Sequence, residues 1–296
     1  MQGGIRKRGP YYEAYKEAES ARKYIDTPQT RSISYKLSYQ DPEFLLRDEL
    51  RPVRLQLELL KPELIQQEQG IESTVVIFGS ARTSDLESAK KNVDALELEL
   101  QVNPDDETLK EKLKKARKNL ENSKYYEAAR SLTKLISNLS NNSDTYDLVV
   151  TTGGGRGIME GANRGAYEAG AKSIGLNIVL PFEQRPNVYI TPELSFQFHY
   201  FAIRKMHFLM RAKALVVFPG GFGTMDELFE TLTLVQTKKI KPIPILLFGR
   251  EYWKKLINFD MFVEEGMISH DDLKLFRYVD TPEEAWEILR NIGDDM

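Results

Sequence analysis

The 296-residue sequence contains no cysteine and only three histidines. The first absence excludes disulfides and thiolate zinc sites. The second leaves His199, His207 and His270 too scattered to suggest a metal cluster. No apolar run approaches the roughly 18 residues of a bilayer-spanning helix, and the opening MQGGIRKR lacks the apolar core of a secretory signal. Charge of one sign is scarce too, since 41 Lys and Arg stand against 44 Asp and Glu for a net −3. Such a balance offers neither nucleic acid nor an anionic membrane a global attraction. The expectation is a cytoplasmic protein with no metal, no nucleic-acid partner and no membrane partner, in which local groups do any phosphate work.

What is present is glycine placed at the ends of apolar runs. Residues 218–230 read FPGGFGTMDELFE. The apolar run 214–218 stops at Pro219, passes Gly220, Gly221 and Gly223, and enters a helical pattern with Met225, Leu228, Phe229, Leu232 and Val235 on one face. This is strand, glycine turn and helix, with the helix expected to start near Thr224. Backbone N–H groups converge readily in such a turn, and the positive end of the helix adds to them, so the stretch predicts anion binding. It is not a P-loop, because no lysine follows the last glycine, and it is not a dinucleotide fingerprint, because Asp226 stands where a third glycine is needed. Thr224 and Glu227 also have the S/T-x-x-E spacing of a capping box, which needs no ligand. Spacing alone leaves both readings open.

Other runs repeat the arrangement. Residues 74–78, TVVIF, lead to Gly79, Ser80 and Arg82, where the arginine meets a phosphate or ribose, or forms a surface ion pair. Residues 148–152 lead to Gly153, Gly154, Gly155, Arg156 and Gly157, then to a helix with Ile158, Met159, Ala162, Ala166 and Ala169 inward. Strands are also expected at 173–180, 188–190, 244–248 and 276–279, with a ligand-covering loop at 181–187. Helices are expected at 198–211, 252–265 and 282–289. On that first helix, Arg204 and Lys205 read by themselves as an exposed basic face. The alternation predicts an α/β fold, a Rossmann-like open, mostly parallel sheet with helices on both faces and its ligand at the strand carboxyl ends.

Two parts fall outside this alternation. Residues 1–72 read as an N-terminal tail and helical extension preceding a domain over 73–296. In the tail, Glu13, Glu17, Glu19 and Asp26 dilute the Arg6-Lys7-Arg8 cluster, which favours a tail or a strap on a neighbouring subunit over a nucleic-acid arm. Residues 42–69 are helical in pattern, with Pro52 suited to a first turn and Pro62 expected to end or kink the segment. A charge-dense insertion over about 85–124 places Leu96, Leu100, Leu109, Leu113 and Leu120 along the seam of a helical hairpin, ahead of a separate helix from Tyr125.

The string PGGFGTMDE at 219–227 matches the PGGxGTxxE signature of the LONELY GUY (LOG) family, and Arg204-Lys205 precedes it at that family's spacing. The chain resembles the longer bacterial members over roughly residues 73–290. The resemblance implies hydrolysis of the N-glycosidic bond of a purine nucleoside 5′-monophosphate, either AMP or a cytokinin riboside monophosphate, without a cofactor. Free base and ribose 5-phosphate are the products. It implies that Glu227 is the carboxylate beside C1′ and that Arg204, with Lys205 second to it, orients Glu227 or the phosphate. Gly220, Gly221, Gly223 and Thr224 would hold the 5′-phosphate, with Gly153, Gly154 and Gly155 on the other side. Met159 would pack on the base or the core, and Gly79, Ser80 and Arg82 would complete the site. It also implies a homo-oligomer, a dimer or larger even-numbered assembly, whose neighbouring subunit supplies Arg or Phe. Two rivals stay beside it. A carrier or sensor binds the nucleotide intact if Glu227 is only a cap, and a decarboxylase would require a pyridoxal phosphate lysine, for which no supporting motif is present.

Overall fold

Uninterrupted β-branched and apolar runs belong to strands covered on both faces, and the computed structural model contains such a sheet. It describes residues 13–21, 25–140, 147–181 and 185–292. The Arg6-Lys7-Arg8 cluster and residues 182–184 of the expected covering loop lie outside the described residues. The helices are α1 (Ala14–Ser20), α2 (Pro42–Leu45), α3 (Arg51–Glu68), α4 (Leu86–Val102), α5 (Glu107–Ser140), α6 (Ile158–Glu168), α7 (Phe201–Met210), α8 (Phe222–Gln236), α9 (Arg250–Leu256), α10 (Phe259–Glu264) and α11 (Pro282–Leu289). The strands are β1 (Thr74–Phe78), β2 (Val149–Thr152), β3 (Ser173–Ile178), β4 (Ser195–Phe198), β5 (Ala212–Val217), β6 (Ile245–Phe248) and β7 (Arg277–Val279).

By contacts the chain divides into two compact units, Met1–Leu57 and Glu58–Met296. In the first, the Asp41 carboxylate caps α2 by accepting from the amides of Glu43 and Phe44. Nearby, Arg54 donates to the carbonyl of Leu45 at 2.7 Å. The second unit holds the whole sheet. All seven strands are parallel, in the order β4-β3-β2-β1-β5-β6-β7. The chain steps outward from β1 to β4, then returns to the other side of β1 with β5. Strand order therefore reverses between β1 and β5, where an open α/β sheet leaves a crevice at its carboxyl ends.

Alternate residues of each central strand feed two cores. Val76 and Phe78 of β1 join Leu215 and Val217 of β5 in one, with Phe208 of α7 and Leu228 and Val235 of α8. Val75, Ile77, Ala214 and Val216 face the other, against Tyr126, Ala129, Leu132 and Ile136 of α5 and Ala162 and Ala166 of α6. Fixing both faces of β1 and β5 holds their exit loops in place.

Several expectations are corrected. Pro62 does not end α3, whose helix continues to Glu68. The hairpin exists and packs Val93, Leu113 and Ala116 with Leu96, Leu100 and Leu120. Its second arm, however, runs on through Tyr125 as one 34-residue helix, α5. No strand forms at 188–190. Instead SFQF at 195–198 becomes β4 and pairs with β3. The closing helix at 252–265 is two helices, α9 and α10, separated where Asn258 accepts from the amide of Met261 and caps the second.

Candidate active site

Two short backbone links join the loops at the reversal. Phe218 N donates to Phe78 O at 2.8 Å, and Ser80 N donates to Pro219 O at 2.9 Å. A cavity of about 640 Å³ opens over them. Its walls include Gly79, Ser80 and Arg82 after β1, and Gly220, Gly221, Gly223, Thr224 and Glu227 at the start of α8. Met159 of α6 and Arg204 of α7 close it, so ten of the fourteen expected site residues converge.

The helix begins at Phe222 with Gly221 as its N-cap residue, two residues earlier than expected. Thr224 therefore lies inside the first turn, and the capping-box reading of Thr224 and Glu227 is overturned. Among the described residues the amides of Gly220 and Gly221 find no backbone acceptor, and those of Phe222 and Gly223 open the helix, where no preceding turn accepts from them. A Cβ at Gly221 or Gly223 would meet nothing within 4 Å. Gly220 differs, because a side chain there would overlap Thr224, while its carbonyl accepts from Tyr252 Oη at 2.6 Å. The result is a row of amide donors at the positive end of a 15-residue helix.

Glu227 is one turn further in, 7% exposed, and faces the same cavity. No hydrogen bond or ion pair to its carboxylate occurs among the described residues. Burial pushes its pKa up to about 7, against the pull of Lys205 and Arg204. Such a carboxyl changes charge near neutrality. Arg204 is itself held from α7, its Nε donating to Leu176 O at 2.6 Å and its guanidinium lying 5.0 Å from the Phe208 ring centroid. Burial lowers its pKa, opposed by the Glu227 charge. Arg82 makes no ion pair among the described residues, so the surface-pair reading does not apply.

The remaining four expected residues lie elsewhere. Lys205 points to the outer side of α8 and pairs with Asp226 at 2.8 Å and Glu230 at 2.7 Å. Gly153 packs beneath the cavity, where a Cβ would lie 2.7 Å from Arg204 Nη2 and 3.0 Å from Met159 Sδ. Gly154 and Gly155 turn their carbonyls to Asn187, which donates from its amide nitrogen to the first at 2.9 Å and from Nδ2 to the second at 3.0 Å. Asn187 Nδ2 also reaches Asn163 Oδ1 at 2.9 Å, and Asn163 in turn binds Thr152 Oγ1 and Ser173 Oγ. This buried amide network escaped sequence reasoning, since nothing in the spacing joins residues 152, 163, 173 and 187. Phe201, Phe222 and Leu256, also unanticipated, stand at the cavity wall. Phe222, at the variable position of PGGxG, is the one with a readable signal.

The sequence comparisons agree with the motif. A family described as "Possible lysine decarboxylase" matches residues 159–289. A probable cytokinin riboside 5′-monophosphate phosphoribohydrolase of Oryza sativa subsp. japonica is 28% identical over 48% of this chain and 67% of its own length. A cytokinin riboside 5′-monophosphate phosphoribohydrolase of Arabidopsis thaliana is 34% identical over 43% of this chain and 59% of its own. The resemblance to the LONELY GUY proteins is thus borne out, while the chain matches only about two thirds or less of either relative's length. Among solved structures, the molybdenum cofactor carrier protein from Chlamydomonas reinhardtii aligns with 76% of this chain and 99% of its own, at 18% identity and a TM-score of 0.45. Similarity at that level carries nothing about ligand or activity.

Proposed function

We propose that this chain is a nucleoside 5′-monophosphate phosphoribohydrolase, releasing free base and ribose 5-phosphate from AMP or a cytokinin riboside monophosphate. The observation that carries the reading is Glu227, a buried, unpartnered carboxylate one helical turn beyond a row of free amide donors in a single cavity. The relatives named above carry that activity in their names.

In this reading the 5′-phosphate sits on the amides of Gly220, Gly221, Phe222 and Gly223, near Arg82. The ribose is then directed toward Glu227. As the C1′–N9 bond breaks, its electron pair leaves with the base, which takes up a proton, and positive charge develops on the ribose. Ionised Glu227 stabilises that charge and accepts a proton from the water that adds to C1′. Lys205 and Arg204, the latter anchored on Leu176 O, keep Glu227 partly ionised despite its burial. No lysine lines the cavity, so the described residues offer a pyridoxal cofactor no amine there, which disfavours the decarboxylase reading.

The test is chromatographic detection of adenine and ribose 5-phosphate from AMP, and of isopentenyladenine from its riboside monophosphate. Glu227→Ala is expected to lose about 10²- to 10⁴-fold in kcat while still melting cooperatively as a folded protein. A parent that binds both nucleotides and cleaves neither is a carrier or sensor, and the reading fails.

The reading extends to an even-numbered homo-oligomer. Phe222 is 96% exposed and Phe201 51% exposed at the cavity mouth, Phe229 shares a neighbouring hollow with Phe222, and Met206 and Met210 of α7 are exposed too. A second copy covering this face makes the parent dimeric or larger in sedimentation. Phe222→Ser combined with Phe229→Ser shifts it toward monomer, and a monomeric parent refutes the assembly.

A further inference from the structure

The hairpin arm of α5 carries lysines in a row. Lys112, Lys115 and Lys118 recur every three residues, with Asn122 four further on, a spacing that keeps side chains on neighbouring positions of a helix surface. Across from them stand Arg82, after β1, and Asn92 of α4. The space between is about 720 Å³, and no carboxylate lines it. We infer that this groove is a second anion site, built for a small molecule carrying several linked phosphate groups.

Three observations support the assignment. First, the cations are not consumed within the fold. Lys112 and Arg82 make no ion pair among the described residues. Lys115 and Lys118 pair only with exposed Glu111 and Glu121, within their own helix, and such exposed pairs contribute little. Like charges at this spacing repel one another, so an empty row costs α5 stability that a bound polyanion restores. Second, the two walls are held in register. Asn119 of α5 donates from Nδ2 to Ser84 Oγ at 2.9 Å and accepts from the Ser84 amide at 3.2 Å, which clamps the loop carrying Arg82 onto the lysine helix. Third, Lys112 and Lys118 are six residues apart, about 9 Å along the axis. One phosphate cannot meet both ends, whereas a short chain of phosphates can. The volume falls within the roughly 300–1,000 Å³ of small-molecule sites, and the chain's net charge of −3 argues against an extended nucleic acid. Ser80 and Arg82 also line the reaction cavity, so the groove opens directly beside it.

Inorganic tripolyphosphate is the probe, titrated calorimetrically into the full chain. Three proteins are compared: the parent, Lys112→Ala/Lys115→Ala/Lys118→Ala, and Gly221→Asp, which places a carboxylate in the glycine turn. The lysines are exposed and alanine favours helix, and the Gly221 position has open space, so both variants are expected to keep the parent's melting curve. The expected result is a tightest binding phase weakened at least tenfold by the triple substitution and changed less than twofold by Gly221→Asp. The reverse pattern assigns the anion to the glycine turn and overturns the proposal. So does a parent that does not bind, or binding that neither variant alters. None of these outcomes depends on whether the chain hydrolyses nucleotides.

Discussion

The turns after β2 and β5 have the same composition, glycine-rich segments between a buried strand and a helix, yet they do opposite things with their backbone. After β2, the carbonyls of Gly154 and Gly155 are taken by Asn187, and Gly157, at φ 71°, is pressed so close to Ser80 O that a Cβ would overlap it. After β5, the space beside Gly221 and Gly223 is open and the amides are free. Glycine is needed at Gly157 because protein fills the space, and at Gly221 and Gly223 because protein does not. A glycine loop at a strand's carboxyl end is thus only a candidate for ligand binding. What decides is whether the chain's own atoms occupy the position of the missing side chain.

The sharpest way to break this contrast is to add a methyl group to each turn. Gly157→Ala is expected to lose roughly 2–4 kcal/mol of stability in urea unfolding, from the positive φ and the overlap together. Gly221→Ala, at φ −97°, is expected to keep full stability or gain a few tenths of a kcal/mol, while weakening AMP binding several-fold. Equal stability losses would show that the β5 turn is as packed as the other.

A second test uses the carboxylate that the β5 turn leaves unpartnered. With its pKa raised to about 7, folded Glu227 holds a proton that the unfolded chain releases above about 4.5. Its contribution to stability is therefore present below pH 4.5 and is lost as pH rises to about 7, by about 3 kcal/mol in all. Glu227→Gln should flatten that fall in chemical unfolding measured across pH. Activity runs the other way, since the base must be ionised: kcat/KM rises toward pH 7 and levels above it. An activity that falls through pH 7 would make Glu227 an acid instead. The smallest effect belongs to Lys205→Ala. Lys205 lowers the Glu227 pKa through space, so its loss should move the rising limb to higher pH while costing stability no more than about 1 kcal/mol.

Much of this architecture was legible in the sequence. The runs at 74–78, 148–152 and 214–218 are central strands because every residue in them is apolar or β-branched, and the turn at 219–224 announced itself through three glycines and a following amphipathic helix. β4 was missed because SFQF buries only Phe196 and Phe198, an alternation too brief to outweigh the apolar 188–190 nearby. The division of α5 at Tyr125 was expected because the charge-dense stretch is longer than an ordinary crossover, but neither glycine nor proline interrupts residues 107–140, and helices stop at breakers and caps. Within the site, Glu227 and Arg204 were readable through their motifs. The separation of Lys205 from its neighbour was not, because adjacent residues on a helix point about 100° apart and only the packing of α7 decides which one turns inward.

That same angle governs what α5 permits. One unbroken helix carries the hairpin seam at Leu113 and Ala116 and the sheet-facing ridge at Tyr126, Ala129, Leu132 and Ile136, so the two surfaces share a rotational phase. Inserting a single residue between Ala116 and Tyr126 would swing the lysine row about 100° around the axis and carry it away from Arg82. An insertion of about seven residues, close to two whole turns, restores the phase but carries the row about 10 Å along the axis, so it too parts the lysines from Arg82. The hairpin is therefore geared to the β1 loop by rise as well as rotation, and the stretch of α5 between Ala116 and Tyr126 is expected to keep its length wherever that mesh is kept.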